Sequence, residues 1–340
     1  MDLYSPGKRF NSPEFAKQFH DCMSNSEKDA KPSTCLLCGK PTTSFCNSHS
    51  IPKCCLKNIS DDGHVYTINQ ILNFGPIDRE KGLARTGTFR LICKECDNQF
   101  FKNYENPTAY LDEPNQQMLG QIATKDLLLE INKASILIAL DEKTEQNDTK
   151  AVRELDFSEN MKALGKAVHA GRGKGSPYKL IMFQQLNYVV PFAFQGVANL
   201  VSDFDGHMIN NLFLYNQSYR LEPLHIAVFP LKHFSVVLLF RNAAAKRYKK
   251  FEKTFLNLLP EEQLAVITKI LFSYVEEIYI SKAISEDAIN DKELESAIRM
   301  NLMYLAFGGD EEFVIKKACR QYAINSLPHV PNLLSSAYAL

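Results

Sequence analysis

Eight of the nine cysteines lie before residue 97; only Cys319 lies beyond. No other feature constrains the fold as tightly. The cysteine-rich segment is short and broken by polar and turn-forming residues. It has too little apolar content to close a large core, and chains of this kind usually need a staple. The N-terminal run MDLYSPGKRF has no apolar stretch of the secretory type, so a cytoplasmic location is expected. In that reducing compartment, cysteines are expected to bind metal or stay as thiols. An odd count also leaves one thiol over in any all-disulfide scheme.

The spacing points to zinc. Cys35-Leu-Leu-Cys38-Gly39-Lys40 is a knuckle, and Cys93-Lys-Glu-Cys96 is a second. A Cys-x-x-Cys turn gives two thiolates the bite that tetrahedral Zn²⁺ requires. Gly39 suits the left-handed position that turns backbone N–H groups toward sulfur. A second ligand set also has finger spacing: Cys35, Cys38, Cys46 and His49, with Cys54 and Cys55 nearby. A zinc-bound His49 would have no lone pair left for proton transfer.

Beyond this segment the chain reads as a conventional domain. Apolar residues recur at helical steps through MLGQIATKDLLLEINK, after Pro114, and again from Val152 to His169. The polar run 141–150 is expected to be a loop. YKLIMF, NYVVPFAF, HIAVF and SVVLLF are strand-like runs. Asp205-Gly206 signals a hairpin, and Leu231-Lys232-His233 a second tight turn. Pro260 followed by Glu261 and Glu262 marks a helix start. The expected fold class is α+β. A small zinc-stapled module at 1–108 precedes a larger domain at 109–340, which has an antiparallel sheet and C-terminal helices.

Between and after the knuckles stand Ser48-His49-Ser50-Ile51-Pro52-Lys53 and Asp97-Asn98-Gln99-Phe100-Phe101. Here the sequence resembles the HNH, or ββα-metal, nucleases of treble-clef-like architecture, closest to the endonuclease VII type of Holliday-junction resolvase. The resemblance covers about residues 33–107. It implies a metal-dependent endonuclease hydrolysing DNA phosphodiesters, with RNA a further possible substrate. Cys35, Cys38, Cys93 and Cys96 would hold structural zinc. His49 would be the general base and Asp97 a ligand of catalytic Mg²⁺ or Mn²⁺. Ser48 departs from the family's acid before the histidine, and a hydroxyl is a poor ligand for a hard cation. Glu105 is the candidate second carboxylate. Asp61, Asp62 and His64, in the long insert, are further ligands or a polar turn. Such an architecture suits bacterial antiphage defence. The alternative is a non-catalytic zinc-stapled module that binds nucleic acid or protein.

The charge is balanced, with 39 basic and 39 acidic residues. A protein that coats nucleic acid through bulk charge is excluded, and any contact must come from a local patch. Lys53, Arg172, Lys174, Lys246, Arg247 and Lys250 are the candidate phosphate contacts. GRGKGSP lacks the Ser or Thr after Gly-Lys that a phosphate loop requires. The most apolar stretch, Leu180 to Val201, is interrupted by Gln184, Gln185, Asn187, Pro191 and Gln195, so no membrane span is expected. A second copy or a regulatory partner would be engaged through the larger domain. Cys22 and Cys319 stand apart from ligand spacing and are expected to be inert.

Overall fold

The computed structural model describes residues 13–68, 78–83, 86–212, 219–300 and 310–340; the N-terminal decapeptide lies outside them. The first elements are α1 (Pro13–Asp29), β1 (Ser48–His49), α2 (Lys53–Ile59), β2 (His64–Thr67), β3 (Asp78–Gly82) and β4 (Thr88–Phe89). Helices α3 (Lys94–Phe100), α4 (Gln116–Thr144) and α5 (Asn147–Gly171) follow. Then come β5 (Tyr178–Leu186), β6 (Phe192–Ala198), β7 (Leu224–Pro230), β8 (Ser235–Asn242), α6 (Lys249–Leu256) and α7 (Pro260–Tyr274). The last are β9 (Tyr279–Ile280), α8 (Glu286–Ile289), α9 (Lys292–Met300) and α10 (Glu311–Gln321). The class is α+β.

Packing divides the chain into two units that interleave along the sequence. The first takes Met1–Ser50, Thr88–Asn106 and Asn115–Gly175; the second takes Ile51–Gly87, Pro107–Pro114 and Ser176–Leu340. This differs from the single expected boundary at 108/109. The cysteine-rich segment does not close a core alone. It is completed by α4, whose first three turns are buried almost all round, including Leu119, Ile122 and Ala123.

Helix α4 starts where the sequence expected. Pro114 stands just ahead, and the Asn115 side chain accepts from the Met118 N–H at 3.1 Å. Its end was not anticipated. Only Glu145 and Gln146 separate α4 from α5, so the expected loop at 141–150 is mostly helical. Its polar residues are paired across the helical hairpin. Arg153 meets buried Asp141 at 2.7 Å, and Lys150 meets Glu142 at 3.0 Å. The two helices approach closely at glycines. A Cβ on Gly120 would lie 2.4 Å from the Gly171 nitrogen.

The second unit holds a seven-stranded antiparallel sheet in the order β3-β2-β9-β6-β7-β8-β5. The β-branched and aromatic runs became β5 to β8. The NYVVPFAF run forms a strand only from Phe192, just past Pro191, because proline has no N–H to give the ladder. The turn expected at 231–233 joins β7 to β8, with the Leu231 N–H bonded to the Phe234 carbonyl at 2.8 Å. Asp205-Gly206 does turn the chain, at Gly206 φ +85°, but it closes an isolated Ser202–Met208 bridge within the β6–β7 connection. Phe251 stacks between Phe204 and Phe255, with both centroid distances 5.5 Å. Beside that stack, Glu252 is buried against Arg241 and is also paired with Lys179. No helix among the described residues is long and apolar enough to cross a membrane.

Candidate metal centre and its acid–lysine cluster

The first knuckle is a closed turn. The Gly39 N–H bonds to the Cys35 carbonyl at 2.8 Å, and Gly39 sits at φ +70°. Backbone bonds from Leu36 to Leu91 and from Cys46 to Ile92 lay this turn beside the second knuckle. There Cys93 caps α3 and Cys96 lies in its first turn. The sulfurs of Cys35, Cys38, Cys93 and Cys96 all lie within 4.8 Å of one another. Tetrahedral Zn–S bonds of about 2.3 Å place sulfurs roughly 3.8 Å apart, so the set can hold such a metal.

The electrostatics agree with the donor chemistry. Burial pushes the Cys35 thiol up, but N–H groups of Cys93, Cys38 and Leu37 outweigh it and bring the thiol to about 7. Burial and the three neighbouring cysteines push Cys96 well above an ordinary thiol. Four crowded sulfurs resist ionising together without a cation among them. Arg172 takes part in the knuckle itself, donating to the Leu37 carbonyl at 3.1 Å. It is a tie within the first unit, which accounts for it without a phosphate.

The second ligand set is not assembled, since neither Cys46 nor His49 belongs to the sulfur group. The Cys46 thiol instead donates to Asp97 Oδ2 at 3.4 Å. Burial and the Asp97 charge push that thiol up to about 11. Cys54 and Cys55 lie in α2 and are likewise outside the group.

Asp97, in the first turn of α3, makes the central contacts. Ser48 Oγ donates to its Oδ1. Strand β1 pairs antiparallel with β4, with His49 opposite Thr88 and partly exposed. The third participant is Lys125 of α4, only 1% exposed. Its Nζ lies 3.0 Å from Asp97 Oδ1, 3.2 Å from Glu105 Oε1 and 2.9 Å from Ser48 Oγ. It also sits 4.1 Å from the Phe101 ring centroid. Burial opposes the Asp97 charge, but Lys125 and Ser48 outweigh it and hold the carboxyl below its usual range. Glu105 goes the other way, because burial and the Asp97 charge exceed what Lys125 returns.

Asp97 and Glu105, the two candidate carboxylates, therefore meet at the same ammonium. Helix α3 ends at Phe100, and the chain turns so that Glu105 reaches the same ammonium. Sequence reasoning missed Lys125. Its signal was a lysine, followed by Asp126, inside the apolar run 122–129.

The remaining candidates take ordinary positions. Asp61, Asp62 and His64 form a tight polar turn, with His64 Nδ1 at 2.9 Å from the Asp62 carbonyl. Arg247 is tied to Glu222 at 3.2 Å and stacks over Tyr219. Lys53, Lys174, Lys246 and Lys250 are exposed. A further group, Asp203, Asp205 and His207, is a turn in which Asp203 Oδ1 accepts from the N–H groups of Asp205 at 3.0 Å and His207 at 2.9 Å. No family model, curated protein or solved structure matches this chain.

Proposed function

We propose that this chain is a cytoplasmic, zinc-stapled module on the HNH plan that binds nucleic acid without hydrolysing it. The observation that carries this reading is Lys125. A catalytic Mg²⁺ or Mn²⁺ does not fit the acid pair as it stands, because a buried ammonium lies between the two carboxylates. Like charges repel strongly there. Zinc held by Cys35, Cys38, Cys93 and Cys96 would fix the first knuckle on the start of α3 and supply no charge to chemistry. Backbone contacts would come from the exposed lysines 246, 249, 250 and 253 around α6, acting as phosphate-neutralising groups.

The second reading is the metal-dependent DNA endonuclease, with antiphage defence as its setting. Two things favour it. The four sulfurs flank the paired strands β1 and β4 and the start of α3, and the Ser48–Asp97 contact brings an acid to the residue beside His49. On that reading His49 accepts the water proton, while Asp97 and Glu105 hold the cation.

One experiment separates the two. Zinc-loaded protein is incubated with supercoiled plasmid and Mg²⁺ or Mn²⁺, and mixed with labelled DNA and RNA in gel shifts over a salt series. Salt-dependent shifts without nicking are expected. Nicking that His49→Ala abolishes at unchanged zinc content would establish the endonuclease. Absence of any shift would sink the binding reading.

A further inference from the structure

Lys125 is enclosed by oxygen partners, hydrogen-bonded to Ser48 and Asp97 and ion-paired with Glu105. An ammonium offers three protons. Here it meets three acceptors, Ser48 Oγ at 2.9 Å, Asp97 Oδ1 at 3.0 Å and Glu105 Oε1 at 3.2 Å. The Phe101 face closes a further side at 4.1 Å. The distances are those of N–H···O bonds. Hard divalent ions hold oxygen at about 2.0–2.6 Å. A buried lysine is rare unless its charge is paired, and this one is paired with two carboxylates.

The neighbouring residues fit the same account. The acid expected beside His49 is a serine, and an acid stands instead after the second knuckle, at Asp97. Ser48 and Asp97 touch. The serine accepts from the lysine and donates to the aspartate, roles a carboxylate at position 48 could not combine. The site thus has oxygen donors on two elements around a positive centre that the chain itself supplies.

We infer that Lys125 is the resident cation of this acid pair, standing where a divalent ion would otherwise bind, and that removing its charge opens a hard-cation site. The inference rests on the HNH-plan reading of Ser48, Asp97 and Glu105, not on nucleic-acid binding.

Mn²⁺ uptake by zinc-loaded protein, followed by electron paramagnetic resonance with zinc content monitored, tests it. The unaltered protein should take up no Mn²⁺ that Asp97→Asn removes. Lys125→Met should bind one Mn²⁺ at least about tenfold more tightly, by relief of like-charge repulsion. Its thermal midpoint should rise with Mn²⁺, and Lys125→Met/Asp97→Asn should lose both effects. Uptake of one Mn²⁺ by the unaltered protein, lost on Asp97→Asn, would overturn the inference whatever becomes of Lys125→Met. So would a folded Lys125→Met with no gain. If Lys125→Met does not fold, absence of Asp97-dependent uptake in the unaltered protein still supports it. Gel shifts are read separately, so failure of the binding reading leaves this result distinct.

Discussion

Replacing Glu252 by Gln removes the counter-charge of a buried guanidinium. Arg241 is 5% exposed and Glu252 6%, so water cannot take over the pairing. Breaking a buried pair from one side costs about 3–5 kcal/mol, because the remaining charge stays desolvated. Arg241 keeps bonds to the carbonyls of Asn242 at 2.8 Å and Ala243 at 3.2 Å. The lower end, about 3 kcal/mol, is therefore expected. For a unit of roughly 200 residues this lowers the thermal midpoint by about 6–12 °C. The chain has no tryptophan, so far-UV circular dichroism is the assay. The double variant Arg241→Leu/Glu252→Leu should be more stable than Glu252→Gln alone, since it removes both charges together. A loss below about 0.5 kcal/mol, or a double variant as damaged as the sum of its singles, would refute the buried-pair argument.

The same glutamate sets an acid limit. Burial raises its carboxyl, but Arg241 and Lys179 outweigh this and hold it below an ordinary glutamate. Its contribution is complete above the unfolded value and is lost as pH falls through the depressed folded one. Urea midpoints should fall below about pH 4.3, and less steeply in Glu252→Gln. Cys93→Ser should lose the bound metal and melt the first unit, read as zinc per chain by mass spectrometry, whereas His49→Ala should retain the zinc. Gly120→Ala forces a Cβ to within 2.4 Å of the Gly171 nitrogen. Overpacking of this kind should destabilise by about 1–3 kcal/mol, measured by urea denaturation.

Strands β6 to β8 were legible because their apolar runs are almost wholly buried, and β5, the edge strand with exposed positions, through its run YKLIMF. The starts of α4 and α7 were legible through Pro114 and Pro260. The end of α4 was not, since composition cannot distinguish a polar loop from helices joined by Arg153–Asp141 and Lys150–Glu142. The four sulfurs were legible as candidates. Spacing admitted two ligand sets, and only folding separates Cys93 and Cys96 from Cys46 and His49. Lys125 was hidden, because a lysine in an amphipathic helix normally reaches water. Strands β2 and β9 were hidden as well, each too short for a periodicity to register.

One pairing bears on biosynthesis. Tyr66 sits opposite Ile280 in the sheet, so an early-translated strand waits for a neighbour translated much later. At about 5–20 residues per second the ribosome needs roughly 10–40 s to cover that gap. Until then the nascent chain carries a raw β edge, the kind of surface that recruits other chains. A fragment ending near residue 108 would keep that edge permanently and should aggregate when expressed alone.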